Sequence, residues 1–389
     1  MEPYRPALPS GQPGAPPRLA RLRLPAAVAL AALGGAAHAE PGVSAAEILL
    51  GCTLDLSGPL ANEGRSIVRA TEATVRDINA HGGVHGRRLR FEFLDDGYDP
   101  QRSADNARRF LQMPVFALCS CIGTANNLAI LPLLRKELVP LYGPNMAVRP
   151  KGLRNVFHFR ASFGDEAVKL VGHADAVGVR RIALAYQDNP FGRAVLERAA
   201  AELERRRIAP AALVPLAPGG EDLPKALAAL LAAAPTTVVV LAAGAPLFGL
   251  VKALRPRQRG IQVSTLSVLP ARALAALGDD AIGLTLSQVV PHPWSSPLPI
   301  VRDFRAMARQ AGIADYGYSD LESYASLHLL AEGLRRAGRS PTRQRFIAAL
   351  ENMNDYDLGG IPIDFSGDPR TASRFVELTY VDRNGKLIR

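Results

Sequence analysis

Residues 48–100 constrain the fold of this chain more than any other stretch. The apolar run Ile48, Leu49 and Leu50, with Leu54 and Leu56, suits a strand buried on both faces, and Ser57-Gly58-Pro59 breaks it sharply. Over residues 62–79, Ile67, Val68, Thr71, Val75 and Ile78 recur at helical spacing, and Gly82-Gly83 supplies a residue able to adopt the left-handed conformation that ends a helix. Leu89, Phe91 and Phe93 then alternate with Arg90 and Glu92 as a strand, which stops at Asp95-Asp96-Gly97 before Pro100 opens the next helix. The result is a βαβ unit.

A chain of 389 residues is too long for one simple core and long enough for two α/β lobes. Past Pro100, a helix with Ala104, Ala107, Phe110 and Leu111 on one side leads into a strand over 115–118. Ile122-Gly123-Thr124 ends that strand, and Thr124 is placed to cap a helix whose Leu128, Leu131 and Leu134 face the core. A short strand over 140–142 stops at Gly143-Pro144-Asn145. In an open parallel sheet a ligand lies outside the carboxyl ends of the strands, so the loops around Ser57, Thr124 and Asn145 are expected to converge on one site. Helix N-termini there offer unpaired N–H groups to a carboxylate.

From Phe157 the pattern restarts. Strands are expected over 182–186, 238–241, 261–266 and near 283–289, with helices over 195–206 and 226–233 and another opened by Pro270. Residues 291–299 hold four prolines and the only tryptophan, Trp294, and read as a crossing between lobes, with Trp294 a plug in that linker in preference to a ligand wall. Helices over 301–310, 321–336 and 342–351 and a strand over 375–381 complete the chain.

The first 39 residues differ in character. Four arginines precede the apolar segment 24–37, and Ala37-His38-Ala39 fits a small-residue cleavage pattern, so a signal peptide cut after Ala39 is expected, and with it a periplasmic protein. That apolar run is about 14 residues, short of the roughly 20 that span a bilayer, and no later segment is apolar enough to do so. The formal charge of +10 falls to +7 without the leader's four arginines and one glutamate, and it is diffuse. Arg205-Arg206-Arg207 sits beside Glu202 and Glu204 as a solvated helix end, so no nucleic-acid partner is expected.

No G-x-S-x-G, G-x-x-x-x-G-K-[ST] or H-E-x-x-H occurs, and neither catalysis nor a cofactor is expected. His81 and His85 flank Gly82-Gly83 and cannot share a helical face, and Cys119-Ser120-Cys121 lacks the further ligands of a zinc site, so no metal is expected. Asp95-Asp96 reads as a cap or turn, and Ser57, without a local base, as a turn residue and pocket lining.

Leu56-Ser57-Gly58-Pro59-Leu60-Ala61, Gly64, Ile78-Asn79-Ala80, Gly82-Gly83, Gly86-Arg87, Asp95-Asp96 and Asp99-Pro100, in that order, resemble the branched-chain amino-acid (Leu/Ile/Val-type) substrate-binding proteins of bacterial ABC transporters. The resemblance implies the periplasmic binding protein type 1 fold: two doubly wound Rossmann-like lobes joined by a three-stranded hinge. Its lobes would be residues 40–162 with 292–366 and residues 163–291 with 367–389. The implied function is capture of a small carboxylate-bearing solute between closing lobes and its delivery to an ABC permease in the inner membrane. A periplasmic sensor with the same lobes is the alternative.

Carried over residue by residue, the resemblance puts Ser57, Leu60, Glu63, Thr124, Asn145, Ala147, Phe191, Leu241 and Ser267 around the ligand. Thr124 stands where similar proteins hold a carboxylate, and Asn145 where a backbone carbonyl faces an ammonium. Ala147 replaces a hydroxyl residue, and Ser267 falls at the place of the carboxylate that pairs with the ammonium. Phe191 and Leu241 make a more apolar wall. Glu63 either replaces the lost anion or faces water. Cys52, Cys119 and Cys121 would lie on neighbouring strands, leaving room for one disulfide and one spare thiol.

Overall fold

The computed structural model describes residues 40–258, 260–269 and 271–389. The expected leader, with its cut after Ala39, and Pro270 lie outside the described residues.

The first half of the chain alternates strand and helix: β1 (Glu47–Leu54), α1 (Ala61–Ala80), β2 (Arg88–Asp95), α2 (Pro100–Gln112), β3 (Ala117–Cys119), α3 (Thr124–Lys136), β4 (Leu141–Tyr142) and β5 (Val156–Phe157). The strands form one parallel sheet in the order β2-β1-β3-β4-β5. All but the first residue of β1 are buried, as a strand covered by helices on both faces requires. Helix α1 ends where Gly82 and Gly83 take φ of 91° and 62°, and the Gly83 N–H returns to the Ile78 carbonyl. Asp99 caps α2 by accepting the Arg102 N–H at 2.9 Å, with Pro100 in the first turn.

The middle of the chain repeats the scheme with α4 (Phe163–Ala176), β6 (Ile182–Gln187), α5 (Pro190–Arg205), β7 (Ala212–Leu216), α6 (Leu223–Ala233), β8 (Thr237–Leu241), α7 (Ala245–Leu254), β9 (Gln262–Thr265), α8 (Ala271–Leu277) and β10 (Thr285–Gln288). Its parallel core has the order β7-β6-β8-β9-β10, the same winding as the first sheet. The chain then returns to the first lobe as α9 (Pro299–Gln310), α10 (Tyr318–Arg336), α11 (Arg343–Glu351) and the hairpin β11 (Tyr356–Asp357) with β12 (Pro362–Ile363). It crosses again to add β13 (Glu377–Val381) antiparallel to β10 and β14 (Leu387–Ile388) antiparallel to β13.

Each sheet is packed on both faces. Ile48, Leu50 and Tyr142 meet Phe304, Leu330 and Phe346 of α9–α11 on one face of the first sheet, and Leu118 and Leu141 meet Phe110, Ile130 and Leu134 of α2 and α3 on the other. Val238 and Val240 pack toward α6 and α7, Val239 and Leu241 toward α4 and α5. The fold is thus two doubly wound α/β lobes joined by three crossings. The first and third pair with each other: the His158 N–H donates to the Arg370 carbonyl at 2.9 Å and the Ser373 N–H to Phe159 at 2.9 Å.

The open question of a disulfide is answered by three free, buried thiols. Burial pushes the Cys52 thiol well up, with Cys121 alongside adding to the shift, and Cys119 rises for the same first reason. Among the described residues no helix is long and apolar enough to cross a membrane.

Candidate functional site

The carboxyl ends of the two sheets border one cavity of about 400 Å³. Its first-lobe rim is built by carboxylates that the loops wrap around. Asp55, fully buried at the end of β1, accepts the N–H groups of Ser57, Gly58 and Leu60, which fixes the turn into α1. Asp95 accepts the Leu56 N–H at 2.8 Å, the Ser57 hydroxyl at 2.7 Å and Arg102 at 2.9 Å. Asp96 takes the hydroxyls of Thr53 and Ser103 and the Tyr98 N–H. The Asp95-Asp96 pair therefore organises turns. Tyr98, on the cavity wall, has its phenol pushed up to about 12 by burial and by the charges of Asp55 and Asp96.

Thr124 is the first residue of α3 and does not cap it: Gly123, at φ 100°, holds the cap position, which a left-handed backbone reserves for glycine. The Thr124 Oγ1 instead accepts the Ala147 N–H at 2.9 Å. With that lone pair used, the hydroxyl proton is free to donate, on a residue that lines the cavity beside the unpaired first N–H groups of α3. The Asn145 carbonyl accepts the Gly123 N–H at 3.0 Å, and its own N–H donates to Cys121, so its backbone is engaged in bridging two loops of the first sheet.

The second lobe meets this rim with apolar groups. Phe191, in the first turn of α5, stands edge-on to Phe163 with ring centroids 5.0 Å apart, and Ala243, Val268 and Leu269 continue the wall. The first crossing carries Arg160, 4% exposed, with its guanidinium 4.3 Å over the Phe163 ring. Its Nη2 donates to Glu166 Oε1 at 2.5 Å and to the Ser267 hydroxyl, and its Nη1 lies 3.5 Å from Glu322. Glu166 also accepts the Ser267 N–H at 2.9 Å and the Ser287 hydroxyl at 2.6 Å. Burial lowers the Arg160 pKa, but Glu322 and Glu166 together outweigh it and hold the guanidinium charged. Burial raises the carboxyls of both Glu322 and Glu63.

Six of the nine expected residues line the cavity: Leu60, Glu63, Thr124, Asn145, Phe191 and Ser267. Ser57, Ala147 and Leu241 are not among the lining residues. Ser57 is exposed and spends its hydroxyl on Asp95, Ala147 supplies its N–H to Thr124, and Leu241 is fully buried in the core beneath α4 and α5. Trp294, expected as a linker plug, is on the cavity wall, stacked against Tyr316 at 6.3 Å and edge-on to Tyr318 at 5.7 Å. Arg160, Glu322, Tyr316 and Tyr318 were not anticipated. For Arg160 a signal existed, since a lone cation within the buried run 156–161 needs a buried partner.

The family model described as periplasmic binding protein matches residues 47–386. The Leu/Ile/Val-binding protein homolog 1 of Brucella melitensis is 25% identical over 360 residues, covering 89% of this chain and 92% of that relative. The crystal structure of a substrate-binding periplasmic protein from Ralstonia solanacearum is 28% identical, with a TM-score of 0.82 over 88% of this chain and 99% of its own. A branched chain amino acid ABC transporter structure from Thermus thermophilus with bound valine has a TM-score of 0.77 over 88% of this chain and 95% of its own; at 18% identity that likeness is one of fold.

Proposed function

Because the chain belongs to the periplasmic binding protein family, we propose that it captures a small carboxylate-bearing solute outside the cytoplasm and delivers it to the membrane permease of an ABC importer. In this reading residues 1–39 are a leader cut after Ala39, and the moving bodies are residues 40–162 with 292–366 and residues 163–291 with 367–389. The observation that carries it is the Thr124 hydroxyl, oriented by the Ala147 N–H and set at the start of α3 on a cavity bordered by the carboxyl ends of the two sheets. A ligand carboxylate there meets a hydroxyl donor, backbone N–H groups and the positive end of a helix.

The lobes close about the crossings, and the ligand shifts the population toward the closed form only by its differential affinity for that form. Phe191 and Val268 then cover the solute and exclude water, while Thr124 and its helix fix its charged end. The test is thermal unfolding of the purified protein against amino acids, aromatic acids, aliphatic carboxylates and amides. A carboxylate at about 100 times its dissociation constant should add roughly 2.7 kcal/mol. The Thr124→Val variant should weaken that carboxylate about 10- to 100-fold, the cost of a lost charge-assisted bond of roughly 1–3 kcal/mol. Stabilisation by amides alone, indifferent to Thr124→Val, contradicts the reading.

A further inference from the structure

We propose that Glu322 is the counter-ion for a cationic group on the ligand, supplying from α10 the negative charge that Ser267 lacks. This rests on the reading above, that the cleft takes a small carboxylate-bearing solute.

The charges around Arg160 carry the inference. Arg160 and Glu166 are a matched, buried pair: Glu166, with no exposed surface, takes the guanidinium, the Ser267 N–H and the Ser287 hydroxyl on its two oxygens. Glu322 is a further carboxylate, 3.5 Å from Arg160 Nη1, and the buried charge of Arg149 acts on it as well. No hydrogen bond reaches Glu322 among the described residues, its side chain is 24% exposed, and its open side is the cavity. Arg149 lies behind this cluster, gives its donors to the carbonyls of Arg160 and Ala161 and to Thr371, and does not line the cavity. Two guanidiniums face two carboxylates in this cluster, and only Arg160 and Glu322 of the four line the cavity. Arg160 is engaged by Glu166 and Ser267, so the Glu322 carboxylate is the charge left for a ligand cation to meet.

The surroundings of Glu322 suit that group. Tyr318, Glu322 and Ser326 follow one another at four-residue spacing on α10, and all three line the cavity, so one helical face presents the carboxylate between a ring and a hydroxyl residue. The ring of Trp294, edge-on to Tyr318, adds a π face to the same wall. Glu63 also lines the cavity, but its carboxylate already accepts its own backbone N–H. It sits in the first turn of α1, where the helix already favours an anion, and nothing ties it to the second lobe. Ser267, by contrast, is joined to Glu322 through Arg160.

The test titrates purified wild type, Glu322→Gln and Glu63→Gln with matched pairs: leucine against 4-methylpentanoate, and phenylalanine against 3-phenylpropanoate. Wild type should bind the amino member of its preferred pair at least 10-fold more tightly than the des-amino member. Glu322→Gln should erase that ratio by weakening the amino member alone, and Glu63→Gln should keep it. Equal binding of both members by wild type overturns the proposal while leaving the carboxylate reading intact, and needs no variant to fold. A ratio preserved in Glu322→Gln overturns it as well. Binding of neither member of either pair, with amides bound instead, overturns the carboxylate reading and this proposal together.

Discussion

At the end of β1 the loop into α1 is gathered on the carboxylate of Asp55, with Asp95 and Asp96 holding the next loop beside it. At the end of β6 the N–H groups of Gly192 and Ala243 go to neutral side chains, Asn189 as the cap of α5 and Gln187, while the charged pair of the loop, Asp188 with Arg193, lies on its exposed side. The two lobes share a strand order and a tight strand-to-helix turn, yet one brings Glu63, Glu322, the Thr124 hydroxyl and a helix start to the cavity and the other brings Ser267 among the apolar Phe191, Val268 and Leu269. Winding is therefore separable from recognition. Under the proposed function the first lobe would define which charged groups a solute carries and the second what shape is covered when the lobes meet.

Arg160 joins the two chemistries, bonded to Glu166 and Ser267 and beside Glu322, and removing it should have the largest effect. Arg160→Met leaves Glu166 buried without its partner, which costs about 3–5 kcal/mol. Urea unfolding reads the loss, and the double variant Arg160→Met with Glu166→Gln should recover the part due to Glu166, the fully buried orphan, while Glu322, 24% exposed, still faces the cavity. If the double variant is no better than the single, Arg160 holds the crossing through its packing on Phe163 and the charge argument fails.

The shared turn can be tested from both sides. A Cβ on Gly64 would stand 1.8 Å from the Asp55 carbonyl oxygen, and one on Gly192 would stand 2.0 Å from that of Gln187. Neither clash is with a flexible side-chain tip, so backbone must move. Gly64→Ala and Gly192→Ala should each destabilise by about 1–3 kcal/mol, measured by thermal unfolding. A silent result at only one of them would show that the two turns are alike in trace and unlike in rigidity.

Local pattern carried much of this into the sequence. Alternation in 89–93, helical spacing in 62–79 and the Gly82-Gly83 stop placed β2 and α1 within a residue or two, because both are amphipathic and end at residues with special backbone freedom. Strand β7 escaped notice because Pro215 interrupts a short, half-exposed run. Helix α4 also escaped, although Ser162 and Asp165 form a capping box that announces it. The Arg160, Glu166, Ser267 and Glu322 cluster is illegible for a different reason. Its members come from the first crossing, α4, the loop after β9 and α10, and only the assembled sheets bring them into register. Trp294 likewise reads as linker until Tyr316 and Tyr318, from beyond α9, supply the rings that hold it on the wall.

The smallest expected effect belongs to the first-lobe loop alone. Burial raises the Asp95 carboxyl, but the bonds from Ser57, Leu56, Gly97 and Arg102 outweigh it and hold the group at about 2. A depressed folded value means stability that is present above the ordinary carboxylate range and lost as pH falls from about 4 toward 2. With the side chain 30% exposed and Arg102 half in solvent, solvent screening leaves about 1–2 kcal/mol. Asp95→Asn should be less stable than wild type by that amount at pH 6, and the gap should narrow as wild type protonates toward pH 2. A gap that stays constant with pH would mean that Asp95 acts as a neutral turn former, as Asn189 does in the second lobe, and the contrast between charged and neutral loops would lose its energetic meaning.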